Sequence, residues 1–184
     1  MNTNLFGETD TPSQIYAFYQ REKSVKDYAL LLQEIDEIIK NYPNRAEVYA
    51  LKGDILKKLD NYEEALENYT IAINKNPSNA AYYFIRAHEY LMFRKFYDAI
   101  DDFTYLLNHK ELKNHSYYAP RNGGLRLIAA CCAGDWEIAK EDIEYIDDDY
   151  VTYTQPVIGR ITKERLQKCI DTKQKLEISK DAHS

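Results

Sequence analysis

The side chains able to do chemistry in this sequence are few, and their spacing decides what they can do. His88 would serve a general acid–base step only with a carboxylate or nucleophile held beside it, and no motif supplies one: there is no His-Glu-x-x-His, Cys-x-x-Cys, Gly-x-Ser-x-Gly or phosphate loop. Asp101 with Asp102, and the run Asp147, Asp148 and Asp149, are the dense carboxylates. The first pair reads as a solvated helix face. The second lacks the glycine and closing glutamate of a calcium loop and reads as an exposed turn. Gly123 and Gly124 have no preceding strand, so they read as an irregular helix start rather than a phosphate cradle. The three cysteines, Cys131, Cys132 and Cys169, are odd in number and lack metal-ligand spacing, which suits reduced packing residues. The expectation is a protein without catalysis, metal or cofactor.

Composition points the same way. The 184 residues are 45% hydrophobic and 29% charged, with only six Gly and five Pro, a balance that favours long regular elements over loops or disorder. Seventeen Tyr stand against six Phe and one Trp, and tyrosine suits half-buried seams and binding surfaces. A net charge of −6 disfavours sequence-independent nucleic-acid binding and favours a basic partner. No cationic leader followed by an apolar run opens the sequence, and the longest apolar stretch, 127–133, is too short to cross a bilayer. A cytoplasmic protein without membrane contact is expected.

The elements that must position these side chains are set by an internal repeat. Windows 46–79 and 80–113 align without a gap at a spacing of 34 residues. Tyr49, Gly53, Leu56, Tyr62, Ala65, Tyr69, Ala72 and Pro77 mark the first window, and Tyr83, Ala87, Tyr90, Phe96, Ala99, Phe103 and Leu106 the second. The logic is that of two antiparallel helices, A and B, crossing closely. Gly53 and Ala87 on A, and Ala65 and Ala99 on B, are small where backbones approach. Tyr69 and Phe103, four residues beyond each B-helix alanine, are large on the same face. Asn61 with Glu64 has the spacing of a capping box at the start of a B helix. A degenerate window, 12–45, precedes the pair, with a first helix over 13–23. A divergent one, 120–149, follows after about six extra residues and carries Gly134, Asp135 and Trp136 at its turn.

These windows resemble the tetratricopeptide repeat (TPR) family, over roughly residues 12–146. The resemblance implies an all-α fold, a right-handed superhelical stack of antiparallel helix pairs. The rest of the reading is a flexible segment 1–11, a single domain 12–178 ending in a capping helix 162–178, and a flexible tail 179–184. Ile161 and Leu166 are spaced as a hydrophobic staple around the start of that last helix.

Family members usually bind ligands along the concave wall formed by the A helices. Carried across, that implies partner-binding roles for Tyr16 and Gln20, Asp54 and Lys57, Phe84, His88 and Leu91, and Arg121, with Ala50, Gly124 and Ile128 on the same wall. The competing reading has Phe84 and Leu91 packing between repeats. Members that clamp chaperone C-termini use Lys and Asn where this sequence has Ala50 and Asp54, and an Asp repels a carboxylate, which argues against that ligand. The leading function is therefore a non-catalytic protein- or peptide-binding module. The alternative is a bacterial immunity protein that neutralises a toxin domain, acidic like many such proteins and offering the segment 147–153. A third reading is a homodimer paired through Tyr150 and Tyr153.

Overall fold

The computed structural model describes residues 1–24, 27–154, 157 and 159–178, and among them the chain is mostly helical, with nine helices and one two-stranded ribbon. Its residues group into two compact units. Unit 1 comprises Met1–Tyr83 with Leu112–Asn114, and unit 2 comprises Phe84–Glu111 with the described residues from His115 onward.

Unit 1 holds α1 (Ser13–Glu22), α2 (Tyr28–Asn41), α3 (Ala46–Lys58), α4 (Tyr62–Lys75) and the first residues of α5 (Ala80–Met92). Consecutive helices pack against one another around Ile15, Phe18, Leu31, Ile35, Leu51, Ile55, Leu56 and Tyr69, all essentially without exposed surface. The crossing of α3 and α4 depends on Gly53. A Cβ there would sit 2.6 Å from the Tyr69 ring, so the missing side chain is what lets the tyrosine lie across the helix.

Unit 2 holds the rest of α5, then α6 (Phe96–Asn108), α7 (His115–Ala133), α8 (Trp136–Ile143), strands β1 (Val151–Thr152) and β2 (Ile161–Thr162), and α9 (Lys163–Thr172). β1 and β2 pair antiparallel, with Val151 opposite Thr162. Its core includes Leu91, Phe103, Leu106, Leu127, Ile128, Ile161 and Leu166.

The turn between A and B helices has one geometry in both units. Asp60, Arg94 and Gly134 take left-handed φ values of 60°, 62° and 83°. The next residue then donates back to the carbonyl five residues earlier, Asn61 to Leu56, Lys95 to Tyr90 and Asp135 to Ala130, each at 2.9 Å. These bonds close each A helix with a left-handed cap. They also revise the capping box expected at Asn61: its side chain makes no cap bond, and its own N–H, which Glu64 would need, is already given to Leu56. The equivalent Asp27 and Asp135 do cap through their side chains, accepting from Leu30 and Ile138.

Three other expectations are corrected. The segment 1–11, expected to be flexible, is packed, with Phe6 fully buried and Asn4, Glu8 and Thr11 nearly so. Gly123 and Gly124 do not begin a helix; α7 starts at His115 and runs through Pro120 and both glycines. Pro120 is tolerated because it and Ser116, whose carbonyl loses a bond to it, are both exposed and can face water. Gly124 is needed because the Tyr150 hydroxyl lies 2.8 Å from where its Cβ would be. The last helix stops at Thr172, well short of 178, because Lys173 turns left-handed (φ 53°) and Gln174 donates back to Cys169. Leu176 reaches the core from the extended chain beyond, its N–H on the Cys131 carbonyl. Ile161 and Leu166, the residues expected to form a staple around the start of α9, are both buried, and the Thr162 side chain accepts from the Arg165 N–H. The tail 179–184 lies outside the described residues.

Candidate partner-binding surfaces

In unit 1, α1 and α2 leave a cleft of about 410 Å³ between them. Ala17, Phe18 and Ile38 give it an apolar floor, and Gln14, Arg21, Glu34 and Glu37 a polar rim on which Arg21 pairs with Glu34. Gln20 is exposed and Tyr16 half-buried on the same helix α1. Asp54 is not a free groove carboxylate. It accepts the hydroxyl of the fully buried Tyr69 at 2.7 Å, so its structural role is to satisfy that phenol. Lys57 is half-buried on the same helix, and Ala50 is fully buried.

In unit 2, Leu91 has no exposed surface, which removes it as a partner contact. Its position on α5 turns it into the core. Phe84 is half-buried with its ring 4.6 Å from Tyr118 and 6.3 Å from Phe103, so it packs between helices, as the competing reading has it. His88 is partly exposed, with Nδ1 3.5 Å from the buried Glu89 carboxylate. Arg121 is exposed and lies over the Tyr117 ring, itself two-thirds exposed. Gly124 and Ile128 are buried and offer nothing to a partner. Tyr150 is half-buried against Gly124, whereas Tyr153 and Tyr145 are among the most exposed aromatics. Asp147, Asp148 and Asp149 are exposed as expected, and Lys163 holds Asp148 at 2.8 Å.

Two arrangements were not foreseen from the sequence. Asp102, read as part of a solvated face, is buried and chelated by Arg86 through two bonds of 2.7 and 2.8 Å. Asp142 is held in the same way by Arg126, at 2.5 and 2.9 Å, again 16 residues apart. Burial raises both carboxyls, and the guanidinium beside each pulls back against that rise. The second arrangement is a polar cluster around Glu8 in unit 1. The Glu8 carboxylate accepts from the Asn76 amide at 2.9 Å, the Asn79 amide at 2.8 Å and the Tyr82 hydroxyl at 2.9 Å. Burial raises this carboxyl, but those donors and the Lys113 ammonium outweigh it and hold the group below its ordinary value. Tyr82 is pushed up, by burial and by Glu8.

Burial raises the cysteine thiols, Cys132 to about 12, so they stay protonated and act as packing groups. Among the described residues no three His, Cys, Asp or Glu are grouped to hold a metal ion, and no helix is long and apolar enough to cross a membrane. Compared with known proteins, the chain matches no family model and no curated protein.

Proposed function

We propose that the chain is a tetratricopeptide-type, non-catalytic binding module that holds another protein or peptide on the first helices of its pairs. The observation that carries this reading is the cleft between α1 and α2. An apolar floor of Ala17, Phe18 and Ile38 ringed by Gln14, Arg21, Glu34 and Glu37 is the arrangement of a small interface core with a polar rim. Gln20 and Tyr16 lie on the same helix α1, with the half-buried His88 and the exposed Arg121 offering polar contacts in unit 2. A cytoplasmic partner with basic character fits the net charge of −6.

A second reading, neutralisation of a toxin domain, draws on the segment 147–153 of unit 2. Asp147, Asp148 and Asp149 are exposed there together with Val151 and Tyr153, an acidic and aromatic surface suited to a basic protein. One experiment separates the two. The protein captured by the wild-type chain from its native extract is identified by crosslinking, and capture is repeated with Ala17→Arg, which fills the cleft, and with Tyr153→Ala. Loss with Ala17→Arg alone is the expected result. Loss with Tyr153→Ala alone would sink the cleft and favour the toxin reading.

A further inference from the structure

The leading segment of the sequence is held in unit 1 like a ligand. Residues 1–12 form no helix or strand, and Met1, Asn2, Thr3, Leu5, Thr9 and Asp10 are exposed. The seating rests on two side chains. Phe6 is fully buried with its ring 5.3 Å from that of Tyr82, and Glu8 is clasped by Asn76, Asn79 and Tyr82 with Lys113 at 3.4 Å. Between them the main chain is read directly: the Asn79 and Asn114 amides both donate to the Phe6 carbonyl, at 2.9 and 3.0 Å. All these donors lie 68 to 108 residues away in sequence, so the chain's own covalent neighbourhood contributes none of them.

The cradle is braced independently of its occupant. Asn79 Oδ1 accepts from the Ala81 N–H and from the Asn114 amide, and Ala80 N–H donates to the Lys113 carbonyl while Lys113 N–H donates to Ser78. Those bonds keep the Asn79 and Asn114 amides aimed whether or not Phe6 and Glu8 are present. The occupant, by contrast, fits imperfectly. The Asn4 amide is buried without a hydrogen-bond partner, a cost the segment bears only while it is seated.

We propose that the cradle of Asn76, Asn79, Tyr82, Lys113 and Asn114 is a peptide-binding site for an aromatic–glycine–glutamate sequence, occupied in cis by Phe6, Gly7 and Glu8 until a partner carrying such a sequence displaces them. Each position of the motif has its physical reason. The aromatic ring packs on Tyr82, and the carboxylate takes the amide and phenol donors. The middle residue must be glycine, because Gly7 has a φ of 67° and a Cβ would stand 2.7 Å from the Asn114 amide. The site is separate from the cleft between α1 and α2, so filling that cleft with Ala17→Arg leaves it untouched. A tethered occupant competes at high effective concentration, so the wild-type cradle is mostly closed to peptide in solution.

The test uses the full chain carrying Phe6→Ala and Glu8→Ala, and a fluorescent peptide with the sequence of residues 2–11. Fluorescence anisotropy is expected to show binding at least about tenfold tighter to this variant than to wild type, the ratio that an occupied cradle imposes. Adding Asn79→Ala to the chain, or Gly7→Ala to the peptide, abolishes it. A helical, folded variant that takes up no peptide overturns the proposal. So does binding that is indifferent to Gly7→Ala. Should the double variant not fold, hydrogen exchange on the wild-type chain decides. Phe6 and Glu8 amides exchanging through a local opening, faster than the core of α3, support a displaceable occupant; exchange only through global unfolding overturns it. A wild-type chain found by mass measurement to be a dimer joined through exchanged leading segments assigns the cradle to a second copy and also overturns it.

Discussion

At one matched position the two units solve the same problem with different chemistry. Asn68 on α4, Asp102 on α6 and Asp142 on α8 each sit one residue before the large apolar residue of their helix, and each is buried. Facing positions on the A helices are Lys52, Arg86 and Arg126. In unit 2 the answer is a chelated ion pair, Arg86 with Asp102 and Arg126 with Asp142. In unit 1 the pair is dissolved: Asn68 donates to the Glu64 carbonyl within its own helix, and Lys52 turns to Asp36 on α2 at 2.9 Å. The lesson is that the helix pair needs its polar groups satisfied at this point rather than one particular pair. Unit 2 commits two buried charges to it, whereas unit 1 uses a neutral amide and lets its lysine reach Asp36 on α2 closely and Glu64 on α4 at 3.9 Å.

That difference makes unit 2 the more brittle at this position. Asp142→Ala leaves the mostly buried Arg126 with only the Thr104 hydroxyl and the exposed Glu141 carboxylate 3.8 Å away, and is expected to cost roughly 3 kcal/mol, against about 0.5–1.5 kcal/mol for Asn68→Ala, which removes one neutral bond. Denaturant unfolding followed by circular dichroism measures both. Replacing the pair together, Arg126→Met with Asp142→Leu, should recover most of the loss, because the penalty belongs to the orphaned charge. Equal losses for Asp142→Ala and Asn68→Ala would erase the contrast.

The next contrast lies within unit 1, between the face of α3 that meets α4 and the rest of that helix. Gly53→Leu drives a side chain into the Tyr69 ring and should cost on the order of 1–3 kcal/mol. Lys58→Ala, on the exposed side of the same helix, should stay within about 0.5 kcal/mol of wild type. In unit 2 the matched residue is Ala87, fully buried, so Ala87→Leu should be penalised in kind. Similar melting shifts for Gly53→Leu and Lys58→Ala would contradict the inward assignment of Gly53.

Much of this packing was legible because small and large apolar residues recur at fixed offsets, and helix crossings depend directly on size. The buried charges were less so, yet the signal existed. Ala99, Asp102, Phe103 and Leu106 fall on one helical stripe, as do Ala139, Asp142 and Ile143, and a carboxylate on an apolar stripe implies a buried cation opposite. Counting Asp102 with its neighbour Asp101 as a charge cluster hid the phase that separates them. For the candidate contacts, family offsets placed Gln20 and Arg121 on the surface but also Leu91, Ala50 and Ile128, because an offset says which face a residue takes and not whether a neighbour covers it. The seat of Phe6 and Glu8 was out of reach: its donors come from two stretches, 76–82 and 113–114, brought together only by folding, and nothing local to residues 1–12 announces them.

The smallest expected effect concerns that seat and depends on pH. Glu8 titrates below its ordinary value of 4.5 in the folded chain, so the folded state favours the carboxylate more than the unfolded chain does. Its contribution is therefore fully present above about pH 4.5 and is lost as pH falls through that value toward the lower folded one. Glu8→Gln keeps the shape but not the charge and should cost about 1 kcal/mol at neutral pH, the difference between a charged and a neutral acceptor. The two chains should then converge in stability as the solution is acidified, while the difference between wild type and Asn68→Ala stays flat over the same range. Convergence is the informative part, because a merely steric defect from Gln would persist in acid. A Glu8→Gln deficit unchanged at low pH would show that the carboxylate charge is not what Asn79, Tyr82 and Lys113 hold.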